Sequence, residues 1–169
     1  MEKHTGKCLC GEVTYEVSGE PVSQGNSHCI DCRKNTGTGF ATILFFKEEQ
    51  VVQLSGKTSS FQYNADSGNS KIKYFCQRCG SFVFGTNSGR EGIKTIYVGT
   101  LDDASFVKPQ FNVYTSRALP YVKIDESLNN FEKGSQKNIC GKMSRSRDLY
   151  ERRQIFSHYI SHTSVDIGW

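Results

Sequence analysis

Six of the seven cysteines fall in close pairs: Cys8-Leu9-Cys10, Cys29-Ile30-Asp31-Cys32 and Cys76-Gln77-Arg78-Cys79, with Cys140 apart from them. Where thiols stay reduced, such pairs mean metal more often than disulfide. The sharpest is Cys76 to Gly80. A C-x-x-C turn brings two sulfurs together, and the glycine behind it permits backbone angles that aim N–H groups at thiolates. Cys8-Leu9-Cys10-Gly11 can do the same from an extended segment, because residues two apart share a face. A tetrahedral zinc site with Zn–S of about 2.3 Å sets its sulfurs roughly 3.8 Å apart, which two chelating pairs can meet. The spacing therefore predicts one structural Zn²⁺ on Cys8, Cys10, Cys76 and Cys79. Such an ion clips the start of the chain to its middle, and closing a long loop is where a staple gains most. Buried free thiols or disulfides are the competing reading, and the paired spacing disfavours it.

The third pair sits in Ser27-His28-Cys29-Ile30-Asp31-Cys32-Arg33-Lys34. Two cations directly after a C-x-x-C favour thiolate over thiol and attract an anionic substrate. Asn35-Thr36-Gly37-Thr38-Gly39 follows and reads as a flexible loop open to a ligand. A second metal half-site or a solvated loop weighs evenly against a reactive site here.

The elements that must hold these residues are strands. Val13, Tyr15 and Val17 alternate with polar residues, the period of a half-buried strand. Phe40 to Phe46 reads as a buried strand, and Phe61 with Tyr63 as part of another. The polar turn 64–69 and the alternation from Ser70 to Phe75 make a hairpin, with Ile72 and Tyr74 opposite Lys71 and Lys73. Further short strands are predicted at Phe82–Phe84, Ile93–Val98, Phe111–Tyr114 and Tyr121–Ile124. Many short strands with glycine-rich turns argue for an all-β sandwich or open barrel.

The 169 residues suit one domain with a real core, over 1–134. Residues 135–169 read as a basic, charged C-terminal tail, with a weak helix along Leu149, Arg153, Phe156 and Ile160 as the alternative. The N-terminus has no apolar core of a secretory signal, and no stretch approaches a membrane span. The expected compartment is the cytoplasm, with no membrane partner. Four thiolates and one Zn²⁺ bring the formal net charge from +4 to about +2, too weak a bias to argue for nucleic acid.

Taken together, these motifs resemble the glutathione-dependent formaldehyde-activating enzymes, a family that shares its domain with centromere protein V. The matching residues are Gly6-Lys7-Cys8-Leu9-Cys10-Gly11, then His28 to Lys34 with Gly37, then Phe75-Cys76-Gln77-Arg78-Cys79-Gly80-Ser81, then Gly99-Thr100-Leu101-Asp102-Asp103 followed by Pro109. The resemblance spans about Gly6 to Phe131 and implies a β-tent zinc fold of several short antiparallel strands. It implies a structural zinc on Cys8, Cys10, Cys76 and Cys79, and a second, catalytic zinc on a C-x-C-x-x-C segment. In this chain the first position of that triplet is Ser27, so only Cys29 and Cys32 remain for a second Zn²⁺. A serine hydroxyl stays protonated near neutral pH and ligates zinc poorly.

The leading expectation is a zinc-dependent carbon–sulfur lyase-like enzyme. Its substrate would be glutathione or a thiol adduct of a small carbonyl compound, with Cys29, Cys32 and Arg33 as catalytic residues. Two other readings stay open: a non-catalytic zinc-binding interaction module, and a thiol redox protein cycling Cys29 and Cys32.

Overall fold

The computed structural model describes residues 2–134. The tail expected at 135–169, with the alternative of a weak helix in it, and Cys140 lie outside the described residues. The fold is all-β, with eleven strands, one short α-helix and three single-turn 3-10 segments among the described residues. A three-stranded sheet pairs β1 (Lys3–Lys7), β2 (Thr14–Ser18) and β5 (Val51–Ser55) in the order β1-β2-β5. An eight-stranded sheet holds β3 (Ser23–Ser27), β4 (Ala41–Lys47), β6 (Thr58–Asn64), β7 (Ser70–Cys76), β8 (Phe82–Asn87), β9 (Ile93–Tyr97), β10 (Phe111–Val113) and β11 (Asn129–Phe131). Its order is β11-β10-β3-β4-β9-β8-β7-β6. All pairings are antiparallel except those of β10 with β3 and with β11, which are parallel.

The alternation read at Val13, Tyr15 and Val17 is that of β2, whose apolar face is fully buried. Those side chains pack with Leu44, Phe46, Val83, Phe84 and Ile96 of the larger sheet, and Cys8 and Cys76 join the same core. Strand β4 is buried on both faces. Leu44 and Phe46 face this core, while Ala41, Ile43 and Phe45 pack with Cys29, Cys32, Tyr97 and Tyr114.

Three local expectations change, and one strand appears where none was expected. Tyr121–Ile124 forms no strand; it follows a turn and pairs with nothing in either sheet. The strand at Phe82 does not end at Gly85 but continues to Asn87, because Gly85 lies close under Thr95 and fits only without a side chain. The segment 23–27 carries no apolar alternation, yet it forms β3 in the interior of the sheet. Its buried Gln24 accepts from Lys108 N–H (2.8 Å), and Asn112 Oδ1 accepts from Asn26 Nδ2 (3.0 Å), so the polar groups are satisfied across the sheet. The supposed loop after Cys32 is the end of a helix, α1 (Ile30–Thr36), closed by Gly37 in the left-handed region.

Gly6 packs where β1 meets the 98–101 segment. A Cβ there would lie 2.2 Å from the Tyr15 ring and 2.5 Å from the Thr100 carbonyl oxygen. Tyr15 cannot retreat: it is fully buried, and its hydroxyl shares a 2.8 Å hydrogen bond with Thr100. Gly6→Ala is expected to destabilise the fold by about 1–3 kcal/mol, the range for overpacking a tight core. Gly99→Ala, with nothing within 4 Å of the added atom, serves as the control. Thermal melts of the two variants check this, and equal melting temperatures would refute the packing argument.

Candidate functional site

Two cysteine centres lie in different parts of the fold. The first is built by two turns. Cys8 leaves β1 and turns back at once: Gly11 N–H donates to Cys8 O (2.9 Å), and Cys8 N–H donates to Val13 O (2.9 Å). The Cys8-Leu9-Cys10 chelate is therefore a turn and not the extended segment expected. Cys76 ends β7 in a second turn, where Gly80 N–H donates to Cys76 O (2.9 Å). Gly11 (φ 75°) and Gly80 (φ 73°) each take the left-handed conformation that closes its turn, which a Cβ would penalise.

The four sulfurs of Cys8, Cys10, Cys76 and Cys79 all lie within 4.8 Å of one another. Cys8 and Cys10 Sγ are 3.5 Å apart, and Cys10 and Cys76 Sγ 3.7 Å. These separations are close to the edge of a ZnS₄ tetrahedron, about 3.8 Å. Val13 N–H points at Cys8 Sγ (3.3 Å), as backbone donors do around bound thiolates. The Ser81 hydroxyl and backbone N–H, joined by Cys10 N–H, hold the Cys79 thiol down to about 5. Leu9 N–H donates to the same Ser81 hydroxyl (3.1 Å) and ties the two turns together. The donor set and its spacing fit a zinc ion. Cys8 and Cys76 are buried in the core, whereas Cys10 is exposed. Among the described residues this is the one group of three or more metal-competent side chains whose ligand atoms converge.

The second centre lies on the other face of the large sheet. Cys29 is the N-cap of α1, and its Sγ accepts from Cys32 N–H (3.3 Å). The Ser27 hydroxyl, at the end of β3, lowers both thiols. All three side chains are buried. The Cys32 thiol first, then Ser27, Cys32 N–H and Lys71, outweigh burial and lower Cys29 to about 5. Cys32 is pushed far up by its bond to Cys29 and by burial. Cys29 is thus the more acidic of the two thiols, and its sulfur is the one that the Cys32 N–H faces.

Ser27 takes the place a third sulfur would occupy, so the donor set is one thiolate short of a three-ligand zinc site. Neither His28 nor Asp31 completes it, because no third ligand atom converges with the two sulfurs among the described residues. His28 is buried against Phe40, with ring centroids 5.2 Å apart, beside Asn112. A second resident zinc does not fit these residues.

The expected cations are placed differently. Lys34 is exposed on α1. Arg33 Nη1 donates to the carbonyl of Arg117 (3.1 Å) and so fixes the helix to the 115–117 turn. Arg117 pairs with Asp66 and lies over the Tyr114 ring. The cation that sequence reasoning missed is Lys71. In the alternation of β7 it stands opposite Ile72, on the face of the hairpin where α1 docks. Asn35 of α1 donates to Tyr63 Oη (3.3 Å) and accepts from Lys73 Nζ (3.1 Å). Burial pulls Lys71 down, but Cys32, Tyr63, Cys29 and Asp31 outweigh it and raise it. Tyr97 of β9 completes the surroundings, its hydroxyl held protonated by burial and by Cys32. No local sequence signal marks Lys71 or Tyr97, since both depend on which element covers the sheet.

Residues 3–117 match the model of the family described as glutathione-dependent formaldehyde-activating enzyme. A crystal structure of a Rhodobacter sphaeroides protein is similar at 19% identity, covering 62% of this chain and 91% of that one, with a TM-score of 0.48. No curated protein matches.

Proposed function

The chain belongs to the glutathione-dependent formaldehyde-activating enzyme family, and from that premise we propose that it makes and breaks a carbon–sulfur bond between a thiol such as glutathione and a small carbonyl compound. The observation that carries the reading is the second centre: two buried sulfurs on the first turn of α1, with the Cys32 N–H on the Cys29 sulfur and with Ser27 buried beside them. Such a pair can act as base and then as acid. The anionic Cys29 sulfur takes the proton of an incoming thiol R–SH. The substrate sulfur attacks the carbonyl carbon, a C–S bond forms, and the C=O π pair moves to oxygen. Cys32 returns a proton to that oxygen and takes in its turn the one on Cys29, which restores the pair. The product is the hydroxymethyl-type thioether R–S–CH(OH)R′, and the reverse path releases thiol and carbonyl.

Arg33, rooted on Arg117, and the exposed Lys34 offer positive charge to the carboxylates of a glutathione-like thiol. The four-cysteine centre carries the structural zinc in this reading, on Cys8, Cys10, Cys76 and Cys79, and holds the fold without entering the reaction. Thiol redox cycling is the second reading, favoured by Cys29 capping the helix that carries Cys32.

The test is exchange between glutathione and formaldehyde and their adduct, followed by magnetisation-transfer NMR with the full chain. The expected result is exchange above the uncatalysed rate, reduced about 10²-fold or more in Cys29→Ser and in Cys32→Ser at unchanged zinc content. Exchange no faster than without protein would refute the proposal. A Cys29–Cys32 disulfide that cycles with glutathione disulfide, without carbonyl exchange, would put the redox reading in its place.

A further inference from the structure

A thiolate in a buried site needs compensation, because an unpaired charge out of water is costly. Most cations around α1 have other partners. Arg33 is held by the Arg117 carbonyl, Lys73 by Asn35 Oδ1, and Arg117 by Asp66 and the Tyr114 ring. Lys71 differs. It makes no hydrogen bond and no ion pair among the described residues, although it is half-buried. Strand register explains its position. Lys71 is opposite Tyr63 on β6 and Asn87 on β8, with Lys73 two residues on along the same face of β7. Asn35 docks α1 onto that face through Tyr63 and Lys73, which sets the helix bearing Cys32 over Lys71. The ammonium therefore stands near the pair, and Cys32, Tyr63, Cys29 and Asp31 all favour its charge.

We infer that Lys71 is the counter-cation of the Cys29–Cys32 centre, the positive charge that lets one buried sulfur rest as a thiolate where Ser27 leaves the pair without a third metal ligand. The inference rests on Cys29 and Cys32 being the reactive pair, and it names a residue that positions charge rather than one that touches substrate. One ammonium balances one thiolate, and Cys29, at the helix N-cap with the Cys32 N–H on its sulfur, is the place for that charge.

Thiolate absorbance at 240 nm reads this directly on the full, zinc-loaded chain. Subtracting the Cys29→Ser spectrum at neutral pH removes the zinc thiolates common to both. The wild type is expected to show one extra thiolate. With Lys71→Met in both chains the difference should fall at least fivefold, while Lys71→Arg should keep it. The reciprocal measurement uses variants that leave Lys71 in place. In Cys29→Ser, labelling of Lys71 by a limiting acylating reagent should rise at least threefold relative to Lys73, because its anion is gone. This second reading decides the matter if Lys71→Met does not fold. No extra thiolate in the wild type, an undiminished difference in Lys71→Met, or unchanged Lys71 labelling in Cys29→Ser would overturn the inference. None of these readouts uses turnover. Carbonyl exchange that fails while the coupling holds sinks the proposed reaction alone, and exchange that persists without the coupling sinks the role of Lys71 alone.

Discussion

Cys76→Ser is expected to abolish the folded state at ordinary temperatures, the largest effect of any single substitution considered for this chain. Cys76 is fully buried, ends β7 and packs in the main core with Cys8. Its sulfur is 3.7 Å from Cys10, so losing it would leave a zinc at this centre with three thiolates and an open position. Structural zinc binding is worth about 10–16 kcal/mol in small zinc domains near neutral pH. A domain of this size has about 5–15 kcal/mol of net stability, so even a partial loss of zinc affinity is comparable with the whole margin. The substitution also leaves a serine hydroxyl in an apolar core, which adds to the cost. Zinc content by mass spectrometry and a thermal melt check this together. A variant that keeps one zinc per chain and melts like the wild type would show that the four sulfurs hold no structural ion. Adding a strong chelator to the wild type should reproduce the variant's behaviour, since it removes the same ion by another route.

The first cysteine centre was legible because its information is local. Each chelate is a few residues long, and a glycine marks the close of each turn. What local sequence could not show was the shape of the first chelate, because C-x-C is compatible with an extended strand as well as a turn. Strands with one dry face were legible for a similar reason. Val13, Tyr15 and Val17 announce β2 by period two, and the hairpin of β6 and β7 carries a polar turn between alternating runs. Strand β3 was not legible, because Gln24 and Asn26 satisfy themselves on partners 84 and 86 residues away in sequence. Helix α1 has seven residues, too few to display an apolar stripe, and its start is capped by a sulfur rather than by a typical N-cap side chain. Lys71 was not legible either, since the helix that docks on its face comes from 35 or more residues earlier. The departures gather around the second centre, where polar and charged side chains are buried for each other and not for the core.

Ser27→Cys is expected to raise the zinc content of the purified chain from one equivalent to two. The argument is one of donor count and place. Ser27 is buried at the end of β3, and its hydroxyl acts on both Cys29 and Cys32, lowering each thiol. A sulfur at that position would point where the hydroxyl points and would supply the third thiolate. Three protein ligands with an open fourth position are the usual complement of a catalytic zinc. Three thiolates and one Zn²⁺ also leave a single negative charge, which the nearby Lys71 can offset. The pair alone offers two thiolates, too few to keep an ion through dialysis against a mild chelator. The wild type should therefore emerge from such dialysis with one zinc, bound at Cys8, Cys10, Cys76 and Cys79, and the variant with two. Cobalt substitution gives an independent readout, since a thiolate-bound Co²⁺ at the new site adds charge-transfer absorption that Cys32→Ser in the same background removes. A wild type that already retains two equivalents would mean that a residue other than Ser27 completes the second site. A variant that gains none would mean that β3 and α1 no longer hold their three side chains at metal geometry, and that this centre works through its two sulfurs and Lys71 alone.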